Sequence, residues 1–292
     1  GMNQNHLGLI VAIASALVFG LYPPTLRAVY ADGGSAFLMI VVTTWMRMLG
    51  LVLYCRATGA PLFQTRENVK HAFIGSLFQT ASIFGILLAL LYMPGPLVLI
   101  IMFSHTMMLL LFMAWRGDVK LDAVSVIATA AAFLGLTLVL DIWHPQKTTY
   151  WIGAALAFMA ALATMGRAYL YGKLTQNRKP ITVGAEVFIF VSLFTLPALF
   201  IQTPHLPAST AGYIYALVSC LSLTLGTFGI FYGISLIGPF RWSLFLKLEP
   251  IFTALFSIMI FGKFLKLSQY IGMAVVLISL AGYQIVMQKR QA

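Results

Sequence analysis

Long apolar runs, separated by short polar or proline- and glycine-containing breaks, make up almost the whole chain. Ten of these runs reach or approach the ~20 residues that a helix needs to cross a bilayer. They cover residues 7–29, 36–57, 70–93, 95–115, 121–142, 151–173, 182–202, 210–236, 239–262 and 268–287. The pattern therefore predicts an all-α polytopic membrane protein with ten transmembrane helices.

Proline and glycine divide the two longest runs. The run from Ala72 to Trp115 is uncharged and too long for one span. We expect Pro94-Gly95-Pro96 to break it, because proline removes a backbone donor and clashes with the preceding turn. Gly238-Pro239 divides the later run in the same way. We assign Pro96, Pro239 and Pro250 to hinges or kinks, and polar breaks separate the other spans at 32–34, 59–70, 141–149, 176–180 and 203–210.

Composition supports a location in lipid. The 292 residues are 61% hydrophobic and only 9% charged, with a mean hydropathy of +0.94, whereas soluble domains carry about 25% charged residues. The net charge of +11 does not imply nucleic acid, because most of it falls in predicted loops on one side of the membrane. Cys55 and Cys220 lie within apolar runs, which predicts buried thiols and no disulfide.

The basic residues orient the predicted bundle, since cytoplasmic loops carry an excess of Lys and Arg. With the N-terminus inside, the inner side receives Arg56, Arg66, Lys70, Arg116, Lys120, Arg167, Lys173, Arg178, Lys179, Arg241, Lys289 and Arg290. The outer side receives Arg27, Lys147, Lys263 and Lys266, and Arg47 and Lys247 lie within spans. The interfacial aromatic belts are assigned Tyr150 and Trp151 outside, and Trp115 and Trp242 inside. Both termini are therefore predicted to be cytoplasmic.

Short matches recur at an offset of half the chain. Offsets of 143 to 146 residues relate Phe84-Gly85-Ile86 to Phe228-Gly229-Ile230, Gly95-Pro96 to Gly238-Pro239, Gly117 to Gly262, and Phe19-Gly20 to Met165-Gly166. Each half holds five spans. Because five is an odd number, the second half begins on the opposite side of the membrane and is inverted relative to the first. Inverted repeats of this kind place a substrate site near the midplane. We therefore predict two inverted five-helix repeats, 7–142 and 151–287, around a central cavity.

The two five-helix halves and the segment LKLEPIFTALFSIMIFGKFLKLSQYIGMAVVLISLAGYQIV (Leu246–Val286) resemble the drug/metabolite transporter superfamily, and more closely its EamA-type exporters. The resemblance covers essentially the whole chain and extends to the bacterial aromatic amino acid exporter branch. EamA repeats commonly carry a glycine-glutamate pair after the fourth helix of each half. Here Asp118 follows Gly117 and Lys263 follows Gly262, which departs from that pattern.

This resemblance implies a function. It implies a secondary transporter of the bacterial cytoplasmic (inner) membrane that exports amino acids, aromatic and other apolar ones included, by alternating access. The expected partners are the small-molecule substrate and the lipid bilayer, without nucleic acid, cofactor or metal, and a monomer is the expected state. Whether export is coupled to protons is not determined by the sequence.

Lys247 and Glu249 are ionisable residues within the ninth span, where a charged side chain costs about 3 kcal/mol. They lie two residues apart, about 200° around a helix, so they do not share a face. Pro250 is expected to leave the carbonyl of Leu246 without its usual donor. The pair either lines a polar cavity, where it contacts a substrate carboxylate or ammonium group or holds a gate, or it is structural. In the structural alternative the two are bonded to each other or to a neighbouring helix, or Lys247 extends to the interface.

The first half has no counterpart of this charged pair. At an offset of 143 it offers Ser104, Thr106 and Met107. A symmetric packing demand does not require charge in one half alone, which favours a role in the site or its gate. Arg47, in the middle of the second span, has no obvious partner in the sequence and needs a carboxylate, carbonyl groups or water.

In the resembled family the third, fourth, eighth and ninth helices are among those around the central cavity. The polar residues of these helices that become candidates for lining it are Gln79, Ser82, Ser104, His105 and Thr227. Gln79 and Ser82 are three apart and should face one way. His105 is of the type that titrates near neutral pH, as proton coupling would require. The alternative for all five is hydrogen bonding between helices.

Aromatic side chains supply the remaining candidates for contact with a substrate. They are Tyr22, Phe78, Phe228 and Trp242, and each has a core or lipid-facing alternative. No enzymatic arrangement is present, since the five histidines lack paired metal-ligand spacing and there is no Walker A motif. The alternatives left open are an exporter of drugs or other small metabolites, a membrane-embedded enzyme, and a receptor. A strongly anionic substrate is disfavoured, because only two basic residues lie well inside spans.

Overall fold

The computed structural model describes residues 3–93, 95–144, 150–262 and 264–291, and these residues form helices without any strand. The helices of the first half are α1 (Gln4–Ala31), α2 (Ala36–Ala57), α3 (Arg66–Ala89), α4 (Gly95–Phe103), α5 (His105–Trp115) and α6 (Ala123–Val139). Those of the second half are α7 (Trp151–Leu174), α8 (Pro180–Thr195), α9 (Ala198–Ile201), α10 (Thr210–Ile237), α11 (Pro239–Phe245), a 3-10 turn (Leu246–Leu248), α12 (Glu249–Phe261) and α13 (Leu267–Gln291).

Within these described ranges, nine segments are long and apolar enough to cross a membrane. Three of them combine successive helices: Pro96–Trp115, Pro180–Ile201 and Pro239–Phe261. Helix α6 has 17 residues and is the shorter apolar helix that corresponds to the predicted fifth span. The protein is therefore a helical multi-pass membrane protein, and the count of ten spans stays a prediction. Pro94, residues 145–149 of the predicted loop, and Lys263 lie outside the described residues.

The three prolines assigned to hinges lie at the beginnings of helices. Pro96 is the second residue of α4, Pro239 begins α11, and Pro250 is the second residue of α12. Proline is tolerated in a first helical turn, where the missing N–H would have no intrahelical acceptor. By contrast, Pro23 and Pro24 lie inside α1, which continues to Ala31. Tyr22 therefore lies inside this helix, nine residues before its end.

Two spans are interrupted near their middle. Ser104 separates α4 from α5, and the 3-10 turn Leu246–Leu248 separates α11 from α12. The carbonyl of Leu246 is not left without a donor, because it accepts the backbone N–H of Glu249 in this tighter turn. The usual donor of this carbonyl, the N–H four residues later, is absent at Pro250 as expected. The missing proline donor is replaced by a neighbouring N–H that the 3-10 geometry brings into range.

Helices from the two halves pack against each other throughout the bundle. The interlocking pairs are α1 with α10 and α12, α3 with α7 and α8, α2 with α8 and α10, α7 with α4 and α5, and α6 with α13. Glycines permit the closest approaches, and a Cβ atom on Gly272 of α13 would lie 2.6 Å from the carbonyl oxygen of Gly135 on α6. Small residues are the usual means by which membrane helices approach this closely.

The aromatic side chains test the predicted interfacial belts. Trp115 and Trp151 are 77% and 70% exposed, as belt residues should be. Trp242 is only 3% exposed, and its ring lies against Gly229 and Gly233 of α10. The belt assignment of Trp242 is therefore wrong, since two glycines open a groove that takes the indole into the core. Cys55 and Cys220 are buried free thiols, as predicted.

Candidate functional site

Polar and charged side chains from five spans meet inside the bundle. We call this group the central cluster, and its members are Tyr22 (α1), Arg47 (α2), Gln79 (α3), Arg167 and Tyr171 (α7), and Glu249 (α12). Arg47 and Gln79 lie near the midpoints of their helices, and Glu249 begins α12 after the mid-span interruption. On α2, α3 and α12 the cluster thus lies near the middle of the span, and on α7 it lies in the last two turns.

Gln79 holds two side chains of α7 in place. Its Oε1 atom accepts hydrogen bonds from Arg167 Nη1 at 3.0 Å and from the Tyr171 hydroxyl at 3.1 Å. Arg167 and Tyr171 are four residues apart and so lie on one face of α7. Ser82, one turn along α3, shares a hydrogen bond with Thr164 of α7 at 2.7 Å. Gln79 and Ser82 therefore face the same neighbour, as their spacing predicts.

Arg47 is buried without a carboxylate beside it among the described residues. Its side chain is 9% exposed, and its guanidinium lies over the Phe188 ring of α8, 5.2 Å from the ring centre. The Nε atom has no hydrogen-bond partner within the described part of the chain. Arg47 is close enough to Arg167 and Tyr22 to interact electrostatically with both. The carboxylate, carbonyl group or water that the sequence analysis expected beside Arg47 is therefore replaced, among the described residues, by an aromatic ring and a second cation.

Glu249 points towards the other members of the central cluster and away from Lys247. Its half-buried carboxylate lies within electrostatic reach of Arg167 and Tyr22. The ion pairs found among the described residues do not join it to Lys247. The alternative in which Lys247 and Glu249 bind each other is therefore wrong. The reason is angular, because residues two apart in a helical turn point in different directions.

Lys247 instead bridges to the interrupted span of the first half. Its ammonium is 1% exposed and donates to the carbonyl oxygen of Phe103 at 3.1 Å and to Thr106 Oγ1 at 2.8 Å. The ammonium also lies 5.6 Å from the centre of the Phe103 ring. These contacts exclude extension of Lys247 to the interface, and they correspond to the structural alternative of bonding to a neighbouring helix.

The interruption at Ser104 leaves carbonyl groups at the end of α4 that side chains satisfy. Ser104 Oγ donates to the carbonyl of Ile101 at 2.6 Å, His105 Nδ1 donates to that of Met102 at 2.9 Å, and Lys247 occupies the next one. The last carbonyls of a helix lack intrahelical partners and need such donors. Ser104 and His105 therefore act here as local caps of a broken helix.

The other sequence-predicted residues lie apart from the central cluster. Thr227 is fully buried and donates to the Leu223 carbonyl of its own helix at 2.7 Å. Phe78 packs against Gly166 of α7, and Phe228 meets Tyr54 edge-on with ring centres 5.6 Å apart. Of the eleven candidates, the structure brings together Tyr22, Gln79 and Glu249 in the central cluster, and Ser104, His105 and Lys247 at the interruption.

Sequence reasoning missed Arg167 and Tyr171. The charge count assigned Arg167 to the inner side, but it lies seven residues before the end of α7 and contacts Gln79. That assignment is corrected, and removing it from the inner side leaves the predicted orientation unchanged. The signal was available, because Arg167 falls within the predicted span 151–173 just as Arg47 falls within 36–57. Tyr171 carried no signal of its own.

A buried ion pair also escaped the sequence analysis. The Glu186 carboxylate is fully buried and accepts Arg178 Nη2 at 2.8 and 3.0 Å, as well as the backbone N–H of Phe63 at 2.8 Å. Phe63 has a φ of 52°, a left-handed conformation that is uncommon for a bulky residue. The pair therefore fastens the α2–α3 loop to the beginning of α8.

Two cavities lie at opposite ends of the bundle. One of about 390 Å³ is lined by Leu110, Asp122, Arg241 and Tyr283 among others, and one of about 310 Å³ lies beside Asp32 and Ser209. Neither is lined by Lys247 or Glu249. At the second cavity, hydrogen bonds from the Ser209 backbone N–H and hydroxyl hold the pKa of the Asp32 carboxyl below its usual range.

Comparison with known proteins gives a match to one family and matches to solved structures. Residues 151–283 match the EamA-like transporter family. One solved structure, described only as the crystal structure of a protein, superposes on this chain with a TM-score of 0.81 and 13% sequence identity. The alignment covers 98% of this chain and 99% of the other. At that identity the likeness shows the fold alone. The curated proteins gave no match.

Proposed function

From the EamA-like transporter domain that the chain carries at residues 151–283, we infer that this membrane protein is a secondary transporter that exports amino acids, aromatic and other apolar ones included. The family consists of small-molecule transporters and not of enzymes. The observation that carries the amino acid proposal is the central cluster, where charges of both signs meet between apolar helices.

The chemistry of the cluster suits a zwitterion. Arg47 and Arg167 present guanidinium groups, and Glu249 presents a carboxylate within electrostatic reach of Arg167. An amino acid brings a carboxylate and an ammonium group on one carbon atom, so it needs fixed charges of both signs close together. The rings of Tyr22 and Phe188 supply apolar surface beside them. Small-molecule sites in proteins combine apolar walls with a few placed polar groups.

The packing supports the proposed inverted repeats, 7–142 and 151–287. If the first five spans are exchanged with the last five, the contact of α1 with α10 becomes that of α7 with α3, and the contact of α1 with α12 becomes that of α7 with α4 and α5. A Cβ atom on Gly85 would lie 2.9 Å from that of Ala160, and one on Gly229 would meet Ser15 in the corresponding place. In this arrangement α6 is the fifth span in chain order and brings the total from nine to ten. Its 17 residues are at the short end of the range that can cross a bilayer.

Alternating access would then be a movement of one repeat against the other around the central cluster. The interrupted spans α4–α5 and α11–α12 occupy corresponding places in the two proposed repeats. Discontinuous helices at the midplane are typical of secondary transporters. We propose a bacterial cytoplasmic membrane location with both termini cytoplasmic, from the distribution of basic residues.

A second candidate is export of carboxylated metabolites that are not amino acids. It is favoured by the excess of cations in the central cluster, where Arg47 and Arg167 outnumber the single carboxylate of Glu249. Arg167 had not been recognised as an interior residue, and its position weakens the sequence argument against anionic substrates. This candidate requires the two guanidinium groups but not Glu249.

Release of labelled compounds from loaded proteoliposomes tests both candidates. Vesicles that contain the purified protein are loaded with radiolabelled phenylalanine, leucine, glutamate or 3-phenylpropanoate, and release is compared with protein-free vesicles. We expect release of phenylalanine and leucine above the empty-vesicle rate. Release of 3-phenylpropanoate without any amino acid would replace the first candidate by the second, and no release of any probe would refute both.

A further inference from the structure

Six buried side-chain atoms lack a hydrogen-bond partner among the described residues, and three of them belong to two arginines of the central cluster and to a threonine one turn from the first. These three are Thr44 Oγ1 and Arg47 Nε on α2 and Arg167 Nε on α7. Thr44 is fully buried and Arg47 is 9% exposed. Buried polar groups in native structures are nearly always hydrogen-bonded, so a group of unpaired donors calls for an acceptor.

The side chains that carry these unpaired donors are neighbours in pairs. Thr44 and Arg47 are three residues apart and therefore lie on one face of α2. Arg47 and Arg167 approach each other closely enough to interact, although both are cations. Two like charges within a low-dielectric interior repel each other, and an anion placed between them removes that repulsion.

Neighbouring side chains hold the two guanidinium groups without using all their donors. Phe188 supports Arg47 through its ring face, a contact that leaves the N–H groups at the edge of the guanidinium plane available. Gln79 binds Arg167 through Nη1 and is itself fixed by Tyr171. Both cations are therefore positioned before a ligand arrives, which lowers the entropic cost of binding.

We propose that Arg47, with Arg167 opposite and the Thr44 hydroxyl beside it, forms a subsite that binds the carboxylate of the transported molecule. The inference rests on the proposed function in that the molecule is a transport substrate. A guanidinium group offers paired N–H donors that match the two oxygens of a carboxylate. Arg47, Arg167 and Glu249 together carry one net positive charge, which a monoanionic group balances and a dianionic phosphate exceeds.

Wild-type protein in lipid nanodiscs provides the first test. Binding of phenylalanine, 3-phenylpropanoate and phenylalaninamide is measured by isothermal titration calorimetry. The amide keeps the ring and the amine but lacks the negative charge. We expect both carboxylates to bind, and the amide to bind about 10- to 100-fold more weakly, the factor for loss of a charge-assisted hydrogen bond. Equal binding of the amide, or no saturable binding of either carboxylate, would overturn the subsite.

Variants then assign the effect to Arg47. Arg47→Gln should weaken binding of 3-phenylpropanoate by at least about tenfold and leave the amide unaffected, whereas Arg47→Lys should recover only part of the affinity because it loses the paired geometry. Arg56→Gln, an exposed position on the same helix, is the matched control. Thr44→Val keeps the side-chain shape and should weaken carboxylate binding by a smaller factor, so the subsite can be tested even if Arg47→Gln fails to fold.

The outcomes separate this inference from the proposed function. If 3-phenylpropanoate binds in an Arg47-dependent manner and no amino acid is transported, the amino acid proposal fails and the subsite stands. If amino acids are transported and the Arg47 and Thr44 variants bind carboxylates as the wild type does, the subsite is refuted and the proposed function stands.

Discussion

The Lys247 ammonium donates a hydrogen bond to the carbonyl oxygen of Phe103 at 3.1 Å, and the two residues are 144 positions apart in the chain. That separation is the offset of the proposed repeats, so the contact joins the interrupted span of one half to the interrupted span of the other. Lys247 therefore has a structural partner, and Glu249, two residues later, faces the central cluster. The two charged residues of one turn serve different neighbours.

Replacement of Lys247 by methionine should destabilise the protein. Methionine fills a similar space but donates no hydrogen bond to the Phe103 carbonyl or to the Thr106 hydroxyl. Leaving these buried groups without their donor should lower the free energy of unfolding by about 1–3 kcal/mol. We expect a lower midpoint of thermal unfolding in detergent and slower flux in proteoliposomes.

Lys70→Met, at an exposed position of α3, is the control for Lys247→Met and should change neither quantity. Thr106→Val provides a second check, because its effect should be smaller in the Lys247→Met background than in the wild type. Full additivity of the two substitutions would contradict the contact.

The two buried or half-buried glutamates should respond differently to neutralisation. Glu249→Gln removes a charge that has no hydrogen-bond partner among the described residues, so we expect a fall in amino acid flux of about tenfold or more with little change in stability. Proteoliposome flux and thermal unfolding, measured on the same preparation, separate the two effects.

Glu186→Gln is the matched comparison. It breaks the buried pair with Arg178 and weakens the bond to the Phe63 N–H, and should lower the free energy of unfolding by about 3 kcal/mol. Flux per folded molecule should stay near the wild-type value. A destabilised Glu249→Gln with normal flux would assign Glu249 a structural role.

Asp118 should make stability depend on acidity. Hydrogen bonds from Lys173 and Tyr169 hold the pKa of the Asp118 carboxyl below its usual range. A carboxyl whose pKa is lower in the folded state stabilises the protein above its unfolded pKa, and this contribution is lost as pH falls through the folded value.

The Asp118→Asn variant isolates this contribution. We expect its unfolding midpoint to lie below that of the wild type at pH 7, and the difference to shrink as pH is lowered below about 4, the pKa of an unperturbed aspartate. Thermal unfolding at a series of pH values in one detergent measures it. A difference that is constant from pH 7 to pH 3 would contradict the pKa shift.

Two glycines of α13 should differ in their tolerance of alanine. A Cβ atom on Gly272 would meet the Gly135 carbonyl at 2.6 Å, whereas one on Gly282 would meet nothing within 4 Å. Gly272→Ala should separate α6 from α13 and cost about 1–3 kcal/mol. Gly282→Ala should be neutral or slightly stabilising, because alanine is the better helix former. Equal unfolding midpoints of the two variants would contradict the close approach.

The helix boundaries were largely predictable. Hydrophobic length and the breaks at proline and glycine placed α2 at 36–57 and α10 at 210–236, against Ala36–Ala57 and Thr210–Ile237 in the structure. Such boundaries depend on local composition alone, because a lipid-facing backbone must satisfy its own hydrogen bonds. The interruption at Ser104 was not predicted, since it contains no proline and depends on Lys247 from a distant span.

The candidate site was predicted in part. Glu249 and Gln79 were recognised because charged and amide side chains within apolar runs are rare, and the same criterion flagged Arg47 without giving it a role. Arg167 was assigned to the inner side because a charge near the end of a run is usually interfacial. Its contact with Gln79 is made across two helices, and no local pattern contains that information.

The sequence by itself determined that this chain lies in the membrane, where most of its spans begin and end, and that Arg47, Lys247 and Glu249 lie inside them. These properties follow from the cost of placing each residue in lipid, which is a property of the residue and its immediate neighbours. Only the tertiary structure decided which of these charges meet. Lys247 and Glu249 are two residues apart in sequence yet face different neighbours, because partner choice depends on side-chain direction and on helices that lie far apart in the chain.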